Sequence, residues 1–566
     1  MASMTVGERT RIALMKADRS RRAMVSRVLY SRLLRWRFGR ASADHLLIVP
    51  QDLRTADPSF WREVQQGQFG LDGTMAVLGQ NSPFDVKPPN AGWARALHGF
   101  SWLSHLKAAA DDGARDAARQ LAVEWTVRHS RAHGASVEPA VAGRRLISWL
   151  SHSGFLLEEA DDATYEAITR AMGTDLVRLS ASWRDCPDGY PRLLALIALV
   201  LSGLCIAGHD NQLPDNERAL TVELARQILP DGGHISRNPG VLVELMLDLL
   251  PLKQCFASRG RPAPPGLLTT MQRMLTMLRH MRLGDGMLAR FNGMSVAEPA
   301  GLATVLAYDD RSIPPVTTVP NSKYVRLERG STIVIMDVGG PPPLDQAALA
   351  HAGCLSFELS SDTTLIMANG GAPALANSDW RATARSTVSH NTLSLAEKSS
   401  SKLIRNTAIE DLIGAPPIQG PDRVTVQVEE TAGAQELSAY HDGYLSRYQL
   451  VHRRSLVLSP SGQRLLGIDR LAGQKANLRL RNDLPFSIHF HLHPDTVCRR
   501  VQGGTAAEVV LKSGDIWRFS VENAALTIEE STYFADSAGP RASLQLVIRG
   551  ATFGDTNIRW IFEMLR

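Results

Sequence analysis

Hydrophobic positions recur at helical spacing through the first half of the chain. Between about residues 90 and 300, apolar side chains fall three and four positions apart, the period of one helix face. Several of these segments are apolar on all sides, as expected where inner helices are covered by outer ones. Periodicity leaves a bundle, a solenoid and a closed toroid equally open. The predicted helices span 108–127, 140–157, 163–180, 193–207, 219–228, 241–252 and 267–281.

The pattern changes after a linker rich in Asp and Pro at residues 309–321. Apolar and polar residues now alternate, as Leu355, Phe357 and Leu359 do with the residues between them. Many short alternating segments separated by Gly and Asp turns predict an antiparallel sandwich. The predicted strands are 332–337, 355–359, 364–368, 424–428, 455–458, 487–492, 508–511, 517–521 and 544–548.

Composition narrows the class of protein only slightly. A chain of 566 residues is too long for one core, so two or more domains are expected. A net charge of +5 with a pI of about 9.0 suits an acidic ligand without requiring one. The five cysteines include no CxxC pair, which argues against a disulfide framework and a thiolate zinc site. They are interpreted as buried thiols: Cys186, Cys205, Cys255, Cys354 and Cys498.

The N-terminal segment is strongly basic. Eleven Lys and Arg residues lie between Arg9 and Arg40, with Asp18 as the only acid and apolar residues at helical spacing among them. Such a helix can lie on an anionic membrane surface. The preferred interpretation is an ordinary helix packed on the first domain. A secretory signal peptide is not predicted. The longest apolar run, 193–207, is too short to span a bilayer and indicates an inner helix.

Three residues of the strand-rich half could converge on a metal. His351 precedes one predicted strand, Asn369 follows the next, and His390 opens the triplet His390-Asn391-Thr392. Imidazoles with one oxygen ligand are typical of zinc sites. Histidines that only form hydrogen bonds within a sandwich core are the alternative.

In this order, the His351 strand, the Asn369-Gly370-Gly371 turn and the His390 triplet resemble the sandwich domain of the heparinase II/III family of polysaccharide lyases. The resemblance extends through 227–239 and 440–444, and covers the chain from about residue 50 onward. It implies an incomplete (α/α) toroid followed by an antiparallel β-sandwich. The expected domains are a basic helical segment at 1–45, a toroid at 46–308 and a sandwich at 320–566.

The family chemistry is β-elimination on a uronic-acid polysaccharide. It requires a group that neutralises the uronate carboxylate, a base for the C5 proton and an acid for the leaving oxygen. The positions that carry these groups in the family depart from its pattern here. Tyr190 and Pro191 stand at its Asn-His pair, Val241 at its tyrosine, and Leu349 at the first histidine of its His-x-His motif.

A divergent lyase with a rebuilt site is the leading hypothesis. In it, Arg237 and Asn238 neutralise the carboxylate, His234 is the base, and Tyr190 or Tyr444 is the acid. Capping and structural hydrogen bonds are the alternative roles of these residues. Further candidate contacts to the acidic polysaccharide are Arg385 and His441, the latter at the Asp-Gly turn that precedes Tyr444.

A non-catalytic glycan-binding protein of envelope or exopolysaccharide biogenesis is the second hypothesis. Hydrolysis is the third, with Glu244 and Asp248 as carboxylates, although their spacing on an apolar helix looks structural. Neither nucleic acid nor an organic cofactor is expected. The substrate class favours the periplasm or cell envelope, whereas the absence of a clear signal peptide leaves the cytoplasm open.

The resemblance also implies a structural zinc at His351, Asn369 and His390. Relatives have an aspartate where Asn369 stands, and a neutral amide is a weaker zinc ligand. Weak affinity or an empty site is therefore expected. His489, His491 and His493 alternate along one strand and are a second, less favoured metal candidate.

Overall fold

The computed structural model describes residues 6–29, 42–128, 134–294, 299–309, 315–373, 378–404, 409–410, 416–473, 483–501, 504–536, 539–553 and 555–565. The chain forms two compact units. The first comprises Met1–Ile228, Val243–Gln272 and Ala303–Asp309, and the second Leu229–Leu242, Arg273–Leu302 and Asp310–Arg566. Two segments of the second unit thus come from the range that the sequence assigns to the helical domain.

The first half of the chain is helical, as the periodicity predicts. The helices are α1 (Val6–Leu29), α2 (Phe60–Gln65), α3 (Ala91–Gly99), α4 (Leu103–Ala108), α5 (Asp112–Arg128), α6 (Pro139–Ser151), α7 (Ser153–Leu157), α8 (Asp162–Ser182), α9 (Tyr190–Cys205), α10 (Leu213–Gln227), α11 (Gly240–Ser258), α12 (Pro265–His280) and α13 (Pro299–Ala307). A small hairpin of β1 (Gln68–Leu71) and β2 (Thr74–Val77) precedes α3. The second unit adds α14 (Ser378–Ala384) and α15 (Leu445–Tyr448).

Helix α9 is buried along most of its length in the first unit. Every residue from Leu193 to Cys205 is buried, which explains why its sequence is apolar on all sides. It packs against α6, where a β-carbon on Gly143 would lie 3.2 Å from the α-carbon of Ala195. A larger residue at this position would force the two helices apart by a few tenths of an ångström.

Among its described residues, the second unit contains four antiparallel sheets. Their strand orders are β3-β4-β5-β6-β7, β11-β12-β13-β14-β21-β18-β17-β16, β19-β20-β15-β8 and the short pair β10-β9. The strands are β3 (Thr318–Val319), β4 (Tyr324–Arg329), β5 (Thr332–Asp337), β6 (Phe357–Ser361), β7 (Thr364–Met367), β8 (Leu393–Leu395), β9 (Lys402–Leu403), β10 (Pro417–Gln419), β11 (Val424–Thr431), β12 (Ala434–His441), β13 (Leu450–Leu458), β14 (Arg464–Gly473), β15 (Pro485–His491), β16 (Val497–Arg500), β17 (Ala506–Val510), β18 (Ile516–Val521), β19 (Ala525–Tyr533), β20 (Arg541–Ala551) and β21 (Thr556–Met564).

One hydrophobic core is shared by the three larger sheets. Stacked and edge-on rings fill its centre, with Trp560 in contact with Phe357, Phe490 and Phe519. Gly467 lies opposite Trp560 on the neighbouring strand, and a β-carbon there would come within 2.0 Å of the indole. The glycine makes room for the large ring.

Two local differences from the predicted strands concern the histidine-bearing region. The predicted strand at 355 begins only at Phe357, because Leu355 has a φ of +61°. His390 follows a short 3-10 turn at Thr387–Ser389, and β8 begins three residues later. Turn geometry, which the alternating pattern does not encode, sets both boundaries.

The basic N-terminal segment begins as one long helix, α1. Ile12 is buried against the first unit, and Arg21 pairs with Asp185 at 2.6 Å. Residues 30–41 of this segment lie outside the described residues. Within the described part of the chain, no helix has the length and apolar character needed to cross a membrane.

Candidate functional site

Tyr190 opens helix α9 in the first unit. Gly189 precedes it with a φ of +91°, and Pro191 occupies the first turn, so the local sequence fixes where the helix begins. The Tyr190 hydroxyl accepts a hydrogen bond from Nη2 of Arg144 at 2.6 Å and donates to Oδ2 of Asp248 at 3.2 Å. Burial raises the pKa of this phenol, although Arg144 acts in the opposite direction.

Asp248 is the centre of this group. Its side chain is fully buried on α11, and Arg144 donates to both of its oxygens at 2.8 Å. Arg54 adds a third hydrogen bond at 2.8 Å and also contacts Glu244 at 3.2 Å. Burial alone would raise the pKa of Asp248, but the two guanidinium groups outweigh it and hold that pKa well below its ordinary value. We call Arg54, Arg144, Tyr190 and Asp248 the Asp248 cluster.

A small cavity, open in part to solvent, lies beside the Asp248 cluster. Arg54, Arg144 and Asp248 line it together with Asp52 and the serines of α6. The two arginines are balanced by the carboxylates of Asp248 and Glu244. An anionic ligand entering the cavity would thus have to compete with an internal carboxylate for both guanidinium groups.

Arg237, in the second unit, is tied to the protein on all sides. It forms an ion pair with Asp337 and donates to the carbonyls of Ser322, Lys323 and Gly340 at 2.7–3.1 Å. Its backbone is left-handed, with a φ of +59°, a conformation that a non-glycine residue keeps only where its surroundings impose it. With 8% exposure, Arg237 acts as a structural anchor within this unit.

His234 and Asn238 lie in the same turn-rich segment. His234 is 2% exposed, and its Nδ1 accepts the backbone amide of Ser236 at 3.1 Å. A neutral ring that accepts at Nδ1 carries its proton on Nε2, which is then a donor. The Asn238 side-chain oxygen accepts the amide of Gly240 at 2.9 Å, a capping contact at the start of α11.

Tyr444 and His441 are fully buried in the sandwich core. Tyr444 donates its hydroxyl proton to the carbonyl of Leu393 at 2.9 Å, and burial raises its pKa. His441 accepts the amide of Gly443 at Nδ1, and its Nε2 lies 3.3 Å from Nδ1 of His452. These contacts leave neither side chain a surface that a polysaccharide could reach.

His452 connects His441 to a buried ionic group, which we call the Asp469 cluster. His452 Nε2 lies 2.7 Å from Asp469, and Arg454 contacts both Asp469 oxygens at 2.8 and 3.0 Å. The indole nitrogen of Trp560 adds a bond at 2.9 Å. Asp469 thus receives four hydrogen bonds, and together with Arg454 it holds β13, β14 and β21 in register.

Arg385 and Leu349 lie at the start of the histidine-bearing region. Arg385 donates from Nε and Nη2 to the carbonyl of Ala350 at 2.9 and 2.7 Å, and burial lowers its pKa to about 10. Leu349, at the position of the family's first histidine, is 62% exposed. An apolar side chain cannot transfer a proton, so Leu349 does not replace the family's histidine at this exposed position.

His351 and His390 come together, and Asn369 joins the same region through the backbone of Asn391. Nδ1 of His351 lies 3.0 Å from Nε2 of His390, with both rings buried. The Asn369 side-chain oxygen accepts the backbone amide of Asn391 at 3.0 Å, whereas its Nδ2 is buried without a hydrogen-bond partner. Among the described residues, no group of three His, Cys, Asp or Glu side chains could hold a metal ion. Two imidazoles and an amide whose free atom is a donor do not fit a structural zinc.

The alternating histidines of β15 have separate hydrogen-bond partners. His489 contacts Gln545 at 3.0 Å and Ser487 at 2.9 Å, and His491 contacts Ser531 at 2.8 Å and the carbonyl of Val388 at 2.9 Å. His493 packs its ring against Tyr533. A polar sheet face therefore accounts for this triplet.

Of the residues singled out in the sequence, Tyr190 belongs to the first unit and His234, Arg237, Asn238, Arg385, His441 and Tyr444 to the second. Sequence reasoning missed Arg54 and Arg144. The sequence feature that points to such residues is a charge within an apolar helix. Arg144 on α6 and Asp248 on α11 both interrupt apolar runs. A buried charge of each sign on neighbouring apolar helices indicates an ion pair.

Comparison with known proteins places the chain in a family. Residues 313–561 match the family model of the heparinase II/III-like C-terminal domain. FtsZ-localized protein C of Caulobacter vibrioides (strain NA1000 / CB15N) is 30% identical over 523 residues, covering 90% of this chain and 89% of that protein.

Solved structures of polysaccharide lyases share the fold. A heparinase III structure superimposes with a TM-score of 0.67 at 13% identity, covering 88% of this chain and 80% of its own. A mutant of heparan sulfate lyase HepC from Pedobacter heparinus gives 0.61 at 14% identity, covering 98% and 88%. The predicted toroid followed by an antiparallel β-sandwich is confirmed. This chain belongs to the heparinase II/III family.

Proposed function

We propose that this protein is a non-catalytic member of the family that binds an acidic polysaccharide of the cell envelope. The Asp248 cluster carries the proposal, because it stands where the Asn-His pair of the family motif is replaced by Tyr190 and Pro191. Family membership supports a polysaccharide ligand, and the net charge of +5 suits an acidic one.

Elimination requires a group that is free to neutralise the uronate carboxylate, and an arginine is the cationic choice. Arg54 and Arg144 are both held by Asp248, whose pKa stays far below neutrality, so this internal anion remains charged at physiological pH. A substrate could bind either guanidinium only after its ion pair with Asp248 is broken, which costs free energy. The first requirement of the chemistry is therefore poorly met in this unit.

The predicted base and acid of the second unit are also poorly placed for catalysis. His234 is 2% exposed and Tyr444 is fully buried, and each has a structural hydrogen-bond partner. Arg237, the predicted carboxylate clamp, is held by Asp337 and three carbonyls. We therefore favour binding over cleavage for this chain.

The relative from Caulobacter suggests where in the cell this chain is located. Its name associates that protein with FtsZ. We propose by analogy that this chain localises with FtsZ as well.

A second candidate is a lyase with a rebuilt site. It is favoured by the Tyr190 hydroxyl, which stands at the motif position with Arg144 at 2.6 Å. In this alternative, substrate displaces Asp248, the arginines neutralise the uronate, and Tyr190 protonates the leaving oxygen.

One experiment separates the two candidates. Purified protein is incubated with heparan sulfate, hyaluronan, alginate and polygalacturonate, while the absorbance of unsaturated uronate and retardation in affinity gels are both recorded. We expect retardation by at least one polymer without any gain in absorbance. Absorbance that rises with the wild type and with the control Tyr440→Phe, but not with Tyr190→Phe, would establish the lyase instead. Absence of both signals would overturn both candidates.

Helix α1 supports a further part of the proposal, contact with an anionic membrane surface. Leu14, Met24 and Val28 are 65%, 68% and 49% exposed, and at 100° per residue they fall within about a quarter of the helix circumference. Exposed arginines, among them Arg9 and Arg19, lie around this stripe. Buried Ile12 keeps α1 attached to the first unit at the same time.

Cosedimentation with vesicles tests this contact. We expect binding to vesicles that contain phosphatidylglycerol, weaker binding to pure phosphatidylcholine, and loss of binding in Leu14→Glu/Met24→Glu. The control Val222→Glu changes an exposed apolar residue on α10 and should bind as the wild type does. Equal pelleting of both variants would contradict the proposal.

A further inference from the structure

The two histidines of the sandwich meet in a fixed tautomeric arrangement. His390 Nδ1 lies 2.7 Å from the carbonyl of Ser386, which can only accept, so Nδ1 carries the proton of the neutral ring. Its Nε2 then presents a lone pair, and His351 Nδ1 donates to it at 3.0 Å. A histidine whose second nitrogen donates to a backbone carbonyl has the arrangement typical of a metal ligand.

Asn369 supplies the third side chain in an orientation that is also fixed. Its Oδ1 accepts the amide of Asn391 at 3.0 Å, so exchanging the two ends of its amide would place donor against donor. Nδ2 therefore occupies the position that the second oxygen of an aspartate would take. This Nδ2 is buried and has no hydrogen-bond partner, which is unusual for an amide in a well-packed core.

We infer that this chain has lost the structural zinc of its family through a single atom, the Nδ2 of Asn369. An N–H₂ group cannot ligate a cation, and the lone pair of His390 is taken by His351 instead. Replacing Nδ2 by oxygen would add the missing charge and ligand without requiring new space, since asparagine and aspartate have the same shape. His351, His390 and the new carboxylate would then provide three ligands, with water in the fourth position.

Hydrogen bonds of Asn391 hold the strands together where a metal would otherwise do so. Its Nδ2 donates to the carbonyl of Phe357 at 2.8 Å, and its Oδ1 accepts the amide of His491 at 2.6 Å. Its backbone amide reaches Asn369, so one residue joins β6, β15 and the end of β7. The region is thus cross-linked without zinc.

The test compares metal binding by the wild type and by Asn369→Asp. Both full-length proteins are purified without chelator, and zinc is measured by elemental analysis and by calorimetric titration. We expect no bound zinc in the wild type and about one per chain in the variant. In the same variant, the new carboxylate is fully buried on a residue whose backbone amide already donates to Glu358 at 2.9 Å, so the melting temperature should fall without zinc and recover with it.

Two controls fix the interpretation. Asn557→Asp adds the same charge at an exposed position of β21 and should bind no zinc. Asn369→Asp/His390→Gln should lose the zinc that Asn369→Asp gains. Stoichiometric zinc in the wild type, removed by EDTA with a drop in melting temperature, would overturn the inference even if the variant failed to fold. A folded Asn369→Asp that binds no zinc would overturn it as well.

Discussion

The Asp248 and Asp469 clusters each centre on a buried aspartate that receives arginine hydrogen bonds, yet their surroundings differ. Around Asp469, Arg454 and His452 are both fully buried and Trp560 completes the shell. Around Asp248, the side chains of Arg144 and Arg54 remain 14% and 20% exposed and border a cavity. The aspartate–arginine pair is therefore sealed from solvent in the Asp469 cluster and accessible to solvent in the Asp248 cluster.

Solvent access determines which buried ion pair can take part in binding. A sealed pair can only be broken at the full cost of leaving charge in the core, and such a pair serves to hold strands in place. A pair whose cations reach solvent can exchange one carboxylate for another. We therefore expect the Asp469 cluster to contribute stability, and under the proposed function the Asp248 cluster is the one where a ligand carboxylate competes for the arginines.

Removing the carboxylate of the sealed Asp469 cluster should destabilise the protein most. Asp469→Asn should lower the free energy of unfolding by about 3–5 kcal/mol, because Arg454 is left charged in the core without its carboxylate. Urea denaturation followed by circular dichroism measures this loss. The control Asp555→Asn removes the partner of Arg470 at an exposed position and should change little. Equal effects of the two variants would abolish the distinction between sealed and exposed pairs.

As the pH falls, the region of His441 and the adjoining Asp469 cluster should lose stability before the Asp248 cluster does. Burial, together with His452 and Arg454, holds the pKa of His441 well below its ordinary 6.5, so the folded state favours the neutral ring. A lowered histidine pKa gives stability that is complete above about pH 6.5 and is lost as pH falls below it. Asp248 stays charged in the folded state, and its contribution declines only below its ordinary 3.8.

Urea midpoints at about pH 7.5 and about pH 5 test this order. We expect the wild type to lose stability over that interval and His441→Gln to lose less, since one buried titrating ring has been removed. Asp248→Asn should have the pH dependence of the wild type over the same interval. A wild-type midpoint that stays constant would contradict the neutral state of His441.

Removing the carboxylate of the Asp248 cluster should lower the free energy of unfolding less and should strengthen binding to an anionic polymer. Asp248→Asn should lower the free energy of unfolding by about 2 kcal/mol, because Arg54 and Arg144 can turn to solvent. It should also raise the salt concentration that elutes the protein from immobilised heparin, since two guanidinium groups become available. Unchanged elution would show that these arginines do not face a ligand.

The smallest expected effect is that of Tyr190→Phe. Loss of one hydroxyl that bonds Arg144 and Asp248 should lower the free energy of unfolding by about 1 kcal/mol. If the protein only binds polysaccharide, its affinity should change less than twofold, as measured by titration calorimetry.

Periodicity was sufficient to predict a helical first half and a strand-rich second half, because burial on one face or on all faces leaves a direct mark on the sequence. The toroid was implied only by the family resemblance. Helix α9 and strand β5 lie close to where the pattern places them. The candidate site was less accessible to this reasoning. Tyr444 and His441 look exposed beside an Asp-Gly turn, yet both point into the core. Partners far apart in the chain, such as Arg54 and Asp248, become visible only once the helices are assembled.

Asn369 is followed by Gly370, and this dipeptide has a chemistry of its own. Asparagine before glycine deamidates when the glycine nitrogen attacks the side-chain amide, and aspartate is one of the products. Here the Gly370 nitrogen donates to the carbonyl of Ser389 at 3.0 Å, and Asn369 is fully buried, so the attack is restrained. The fold therefore protects the chemical identity of this residue over time. Aged or partly unfolded protein would be the first material in which a carboxylate arose at this position.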